Sequence, residues 1–433
     1  MQKLKTNIYL PIFLFLILNI LFTRSFVGLG FFNHLLGEYI VLFGFIYLFF
    51  LVLYSSKTHR LFSLKIITAI LIYYLLQLVF TQANITNTYT FKASSFIAMT
   101  AYFYLGLNLP RQNEYIQKIK KWLPLMLPII YFLGSGLYPD FLTNFFIENS
   151  DKFQFIKASD VLMGVLIIVF YQTGFNEKRN DLYLFLIIPA FIPLLLYLSR
   201  GSFVAIVLFF VMELFTHRKQ FISNLPRTFV LALVSMFIFV FSTFNIYGNL
   251  NFEKSNPLIN EELDKRQTEV IQENLLDLIE RRNTVGVVFS LYFEDNVLKS
   301  TDGTLNWRLD IWQDLLSDIN ISNKNLFGYG YNEILSVMTD ASEPGRMGRD
   351  GMNENIHNYF LNIFARGGLI LLILFVALHI TFVREWKSIN GNYRLANFII
   401  PLLVASFFDI SMEGVQFPLN YYFFVGAFLS YKK

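Results

Sequence analysis

The sequence predicts an all-α polytopic membrane protein of about twelve transmembrane helices, with one long external loop containing short helices. Three observations carry that prediction. Of 433 residues, 55% are hydrophobic and only 15% charged, against roughly 25% charged in soluble domains. Apolar runs near spanning length recur from one end of the chain to the other. Lysine and arginine crowd into alternate connecting loops.

A helix rising ~1.5 Å per residue needs about 20 apolar residues to cross ~30 Å of hydrocarbon. Runs of that kind lie near 8–23, 36–54, 64–82, 93–109, 122–138, 159–175, 182–199, 201–216, 227–247, 358–383, 395–409 and 415–430. The chain therefore divides into membrane helices over 1–247, an external loop over 248–357 and membrane helices over 358–433. Pro124 and Pro128 are expected to kink the fifth run, and Pro189 and Pro193 the seventh.

Basic residues in short loops are retained on the cytoplasmic side. Lys3 and Lys5 precede the first run, which lacks a small-residue cleavage site and reads as a retained anchor. Lys57 and Arg60, then Arg111, Lys118, Lys120 and Lys121, then Lys178 and Arg179 fall on alternate turns. Arg218, Lys219 and Arg227, then Arg384, Lys387 and Arg394, then Lys432 and Lys433 continue the alternation. Both termini are thus expected to be cytoplasmic, in the inner membrane, with the 248–357 loop outside.

That loop holds more than half of the chain's Asp and Glu, so the net charge of +4 conceals a basic inside and an acidic outside. No basic face is large enough to neutralise a run of phosphates, which disfavours nucleic acid. With no cysteine, disulfides, thiolate metal sites and cysteine nucleophiles are excluded. Within the loop, 261–282 reads as an amphipathic helix with Leu263, Val270, Leu275 and Leu278 on one face. A second helix from Trp307 is expected to lie on the membrane surface, with its tryptophans at headgroup depth. Gly328 and Gly330 predict a tight turn, and Gly345, Gly348 and Gly351 a mobile segment suited to a lid. Neither glycine run has the strand and helix context of a nucleotide-binding loop.

Three polar residues stand at the outer boundary. Arg200 sits where the seventh run meets the eighth, with Gly201 expected to make the turn; Arg308 is on the second loop helix; His357 opens the tenth run. Two guanidinium groups clamp a lipid diphosphate by paired hydrogen bonds, while a neutral imidazole takes a hydroxyl proton. Each residue alone also has a plainer reading, as a snorkelling arginine or a boundary histidine. Glu38, Asp160, Asp409 and Glu413, near outer helix ends, offer rival bases. Arg366, beside Gly367 and Gly368, is expected to pair with a carboxylate or line the substrate cavity. His59, His217 and His379 fall toward the cytoplasmic side, and His34 stands in an apolar loop with no evident partner. No His, Asp or Glu cluster has metal-ligand spacing, so neither metal nor cofactor is expected.

The runs SRGSFVAIVLFF (199–210), WRLDIWQDLLSDINISNKNLFGYGYNEI (307–334) and HNYFLNIFARGGLILLILF (357–375) resemble the O-antigen polymerase and O-antigen ligase superfamily. These are membrane glycosyltransferases that act on undecaprenyl-diphosphate-linked glycans. The resemblance covers the second half of the chain; the first 180 residues are similar only in hydropathy. It implies a C-type glycosyltransferase-like fold and an inverting, metal-independent transfer. It also implies an undecaprenyl-diphosphate-linked oligosaccharide donor, a glycan acceptor, the lipid bilayer as surroundings and a chain-length regulator protein as a further partner. By the same resemblance Arg200 and Arg308 bind the departing diphosphate and His357 activates the acceptor hydroxyl, with Arg366, Asn358 and Trp312 as further substrate-binding positions. Relatives carry an acidic residue near Ala365 or Arg366, where this chain has a cation. The activity expected first is polymerisation of a surface polysaccharide. Ligation of the glycan to lipid A-core or another acceptor is the alternative, and flipping of a lipid-linked oligosaccharide is the alternative from another class.

Overall fold

The structure, a computed structural model, describes residues 2–54, 61–84, 87–108, 122–175, 182–250, 291–295, 297–339 and 354–430. The basic loop residues from Lys57 to Arg60, Arg111 to Lys121, Lys178 and Arg179, and Lys432 and Lys433 lie outside that set. So do the 261–282 helix and the glycines at 345, 348 and 351.

A helix stands at each of the twelve predicted positions. In chain order these are α1 (Gln2–Val27), a two-residue β1–β2 hairpin (Gly30–Phe31 and His34–Leu35), α2 (Leu36–Tyr54) and α3 (Phe62–Phe80). The fourth run is split into α4 (Thr88–Met99) and α5 (Tyr102–Leu107). Next come α6 (Met126–Gly134), the short α7 (Asp140–Asn149) and α8 (Ala158–Phe175), then α9 (Ile188–Leu198), α10 (Arg200–Ser223) and α11 (Leu225–Tyr247). The loop contributes a hairpin, β3 (Leu291–Glu294) and β4 (Val297–Ser300), then α12 (Gly303–Ile321) and α13 (Ser336–Thr339). The chain closes with α14 (Tyr359–Asn390), α15 (Leu395–Phe408) and α16 (Gln416–Leu429). Among the described residues five helices are long and apolar enough to cross a membrane, and five apolar helices are shorter. Pro124 falls in a 3-10 turn before α6, and a π-turn over Tyr183–Ile187 precedes Pro189 at the start of α9, so these two prolines stand where backbone bonding is already irregular, whereas Pro193 lies inside α9.

The bundle is organised around α16, buried along its whole length from Gln416 to Leu429. A Cβ added at Gly106 would lie 1.9 Å from the carbonyl oxygen of Phe423, and one at Gly426 would lie 1.9 Å from that of Phe103. Only glycine at both positions lets α5 and α16 touch backbone to backbone, the close packing that holds apolar helices together without a hydrophobic drive between them.

At one end of the bundle, Arg394 at the start of α15 donates to Glu213 of α10 through Nη2 at 2.7 Å and Nε at 3.2 Å. It also donates to the Thr173 carbonyl at 2.7 Å, and Asn397 adds a bond to Glu213 at 2.8 Å. Arg394, counted from sequence among the basic loop residues, is a buried clamp between α8, α10 and α15. A charge buried there is tolerated because each of its polar atoms is held by a neighbouring helix.

At the other end, α14 is broken at Gly368, where φ is +62°. The loop after α12 fills the break. The amides of Tyr329 and Gly330 donate to the carbonyls of Ala365 and Arg366 at 2.8 and 2.9 Å, and the amide of Leu369 donates to Asn325 at 2.8 Å. Gln77 of α3 caps the same place, donating to the carbonyls of Phe327 at 2.6 Å and Arg366 at 3.0 Å, while the Tyr73 hydroxyl donates to Gly367 at 2.8 Å. A Cβ at Gly328 would meet the Arg366 carbonyl at 2.5 Å, so the predicted turn is a docking contact as well.

Candidate active site

Helix α12 begins at an N-cap that serves two purposes. Asp302 accepts the amide of Leu305 through Oδ1 at 2.7 Å, satisfying an end donor of the helix. Its Oδ2 accepts Nη2 of Arg200 at 2.7 Å, with both side chains largely buried. Arg200 is the first residue of α10, where the chain turns at an extended Ser199 (φ −160°, ψ 131°). The turn expected at Gly201 is thus made one residue before Arg200. Gly201 instead leaves room for Phe408, whose Cβ would stand 2.6 Å from an added Cβ. The Phe408 carbonyl in turn accepts Nη1 of Arg308 at 2.7 Å. The start of α10, the first turns of α12 and the end of α15 therefore meet around Phe408, and Arg200 and Arg308 come together there.

His357 is held against the same part of α12. Its ring centroid lies 5.3 Å from that of Trp307. The preceding residue is fixed by Trp312, whose indole Nε1 donates to the Ile356 carbonyl at 2.7 Å. His357 does not open a helix as expected: α14 starts at Tyr359, and Asn358 is its N-cap, accepting the amide of Leu361 at 3.1 Å. His357 stands just before that cap with φ +53°, a left-handed backbone unusual for a side chain with a Cβ. Such geometry is strained and persists because Trp312 on one side and the Asn358 cap on the other determine it. Asn358 is fully buried, and its Nδ2 makes no hydrogen bond among the described residues.

Asp409 completes the group. Burial alone would raise its carboxyl, but Lys157, Arg308 and His357 together hold it below the usual carboxylate range. It lines a cavity of about 350 Å³ shared by Glu38, Asp160, Glu354, Asp409 and Glu413. All four carboxylates singled out as rival bases thus reach one cavity, next to the arginine and histidine cluster. Burial pushes the Glu413 carboxyl up to about 7, with Arg366 opposing and Glu354 adding to the rise.

Arg366 lines a second cavity of about 700 Å³ with Tyr89, Tyr329, Asn332, Glu333 and Ser336. Its Nη1 donates to the carbonyls of Gly330, at 3.2 Å, and Glu333, so it is held by backbone oxygens and not by the expected carboxylate contact.

Two further expectations change. The Trp312 side chain does not face outward from α12: with Leu309, Ile311, Leu315 and Ile319 it packs in a separate core formed with Val337, Met338 and Ile356. It positions the backbone before His357, and its indole N–H is already committed there. His34 has a partner, its Nδ1 lying 2.8 Å from Glu38, the residue one helical turn on. Sequence reasoning missed Asp302, Trp307 and Gln77. Asp302 was legible as an N-cap three residues before Leu305; Trp307 lay in a quoted run with no signal tying it to His357.

Residues 184–376 match the family model described as O-antigen ligase (Wzy_C). No curated protein matches the chain.

Proposed function

We propose, from the match of residues 184–376 to the O-antigen ligase family, that the chain is an inner-membrane glycosyltransferase of the O-antigen ligase and polymerase superfamily that polymerises a lipid-linked glycan. The donor is an undecaprenyl-diphosphate-linked oligosaccharide, and the acceptor is the non-reducing end of the next lipid-linked repeat unit. Transfer takes place on the outer face, where the alternation of basic loops puts residues 248–357.

The observation that carries the reading is the convergence on the first turns of α12: Arg200 through Asp302, Arg308 beside Asp409, and His357 against Trp307. In the proposed reaction an acceptor hydroxyl attacks the anomeric carbon of the donor sugar from the face opposite the diphosphate. The new glycosidic bond forms as the bond to the diphosphate oxygen breaks, and undecaprenyl diphosphate leaves with the electron pair. His357 accepts the hydroxyl proton, and the Asp409 carboxylate stabilises the resulting imidazolium. Arg200 and Arg308 neutralise the charge growing on the departing diphosphate. The carboxylate-lined cavity beside Asp409 is where the acceptor sugar enters.

A second reading, transfer of a finished glycan to lipid A-core or another acceptor, is favoured by the description of the matched family as a ligase. Both readings use one donor and one base. Purified protein in proteoliposomes, given the lipid-linked repeat unit alone, tests the first. Chain growth that disappears in His357→Ala supports polymerisation. Release of the glycan onto an added core acceptor, with no growth in its absence, moves the assignment to ligation.

A further inference from the structure

The cavity beneath Arg366 lies outside the arginine and histidine cluster, and its lining has the character of a ligand site. Its volume of about 700 Å³ falls within the ~300–1,000 Å³ usual for such sites. Arg366 is 3% exposed, oriented by the carbonyls of Gly330 and Glu333, and stacked 4.9 Å from the ring centre of Tyr89. Its Nε has no hydrogen-bond partner among the described residues. Around it stand a second ring, Tyr329, and the amide, carboxylate and hydroxyl groups of Asn332, Glu333 and Ser336.

Flat aromatic faces beside convergent donors and acceptors suit a sugar ring, which is apolar on its face and hydroxylated at its edge. The lining is mixed, with Ile334 and Leu335 set among these polar groups. The two cavities adjoin across α4, since Tyr89 faces one while Phe91, Lys92 and Ser95 face the other. Across that partition Arg366 acts electrostatically on Glu413. Resting on the glycosyl-transfer reading, we propose that the Arg366 cavity is a distal saccharide subsite, which binds a pyranose residue of the glycan away from the bond being formed. The sugar belongs either to the growing chain or to the incoming repeat unit.

The absence of cysteine makes the test direct. Single variants Thr339→Cys in this cavity, Ser411→Cys in the Asp409 cavity and Phe293→Cys on the exposed hairpin are labelled with benzophenone maleimide. The full-length proteins in proteoliposomes are then irradiated with the lipid-linked repeat unit, and glycan adducts are located by peptide mass. Adducts are expected at 339 and 411 and not at 293. Arg366→Gln or Tyr329→Leu, whichever retains a monodisperse profile, is expected to reduce the 339 adduct tenfold or more while sparing the 411 adduct. A ladder of adduct sizes identifies the growing chain, and a single size identifies the repeat unit. An adduct at 411 without one at 339, or a 339 adduct indifferent to both variants, overturns the subsite and leaves glycosyl transfer standing. No adduct at either position, together with no chain growth, overturns the transfer reading as well.

Discussion

Arg200 and Asp302, 102 residues apart, are joined by a 2.7 Å ion pair in which the carboxylate that orients the guanidinium also caps α12. Asparagine caps a helix as well as aspartate does, so Asp302→Asn removes the charge and spares the helix. Asp302→Asn is expected to lower turnover about tenfold, within the range of one coupled contact, and to lower the thermal midpoint because the largely buried Arg200 loses its counter-charge. Asp302→Ala is expected to cost about 1 kcal/mol of stability in addition. Because Asp302 works through Arg200, the double variant with Arg200→Ala should turn over no more slowly than Arg200→Ala alone.

Arg200→Ala and Arg308→Ala are each expected to reduce turnover about 10²- to 10³-fold, the loss seen when one preorganised donor to developing charge is removed. Lysine should not restore the rate at position 308, since an ammonium cannot hold the Phe408 carbonyl and a diphosphate oxygen in the same fork geometry. Single-turnover release of undecaprenyl diphosphate by folded variants checks both.

The left-handed backbone at His357 predicts an unusual order of stability. His357→Ala and His357→Gly should both lose roughly 10²- to 10⁴-fold in turnover, as general-base removal does. The glycine variant should be the more stable of the two by about 1 kcal/mol, because only it lacks a Cβ that clashes at φ +53°. Thermal unfolding in detergent compares them. Equal stabilities would remove the strain argument.

Glu413, with its carboxyl raised to about 7 from an ordinary value near 4.5, keeps a proton in the folded state that the unfolded chain gives up. Between those values the native state binds more protons, so stability falls as pH rises from about 4.5 to about 7 and is level on either side of that window. Asp409, lowered, contributes in the opposite sense: stability present above the ordinary carboxylate range and lost as pH falls through its folded-state value. Glu413→Gln should therefore flatten the decline of thermal midpoint between pH 4.5 and 7 and leave the acid limb in place.

Gly368→Ala is expected to prevent accumulation of folded protein. Its φ of +62° is unfavourable for alanine, and the added Cβ would stand 2.2 Å from the Leu326 carbonyl oxygen. Limited proteolysis of the surviving fraction should cut within 325–330, where the wild type is expected to resist because the segment is bonded to the break in α14.

The helices were legible because spanning a bilayer imposes a length of apolar chain that few other constraints produce. Arg200, Arg308 and His357 were legible as charged or titratable groups at the edges of such runs. The second core was not. Ile311, Leu315 and Ile319 recur every four residues, a pattern shared by a helix lying on lipid and one covering a protein core. Only the distant Val337, Met338 and Ile356 decide between the two, and no local signal connects them to α12. His34 shows the reverse: its partner Glu38 stood at the helical spacing of four residues and was readable without the fold. The four carboxylates could be placed near helix ends but not around one cavity, since that grouping depends on the lateral order of α2, α8, α15 and α16.

The interrupted hydrogen bonding of α14 has a bearing on how the chain is assembled in the membrane. The peptide groups around its break find their partners in Asn325, Tyr329 and Gly330, which in the proposed orientation reach them only after the preceding stretch has been exported. Until then, a hydrocarbon environment would leave those groups without solvation. In that proposed orientation, translocation of the loop is a precondition for seating the C-terminal helices, and a fusion that stalls export near residue 325 is expected to strand them outside the bundle even with their own sequence intact.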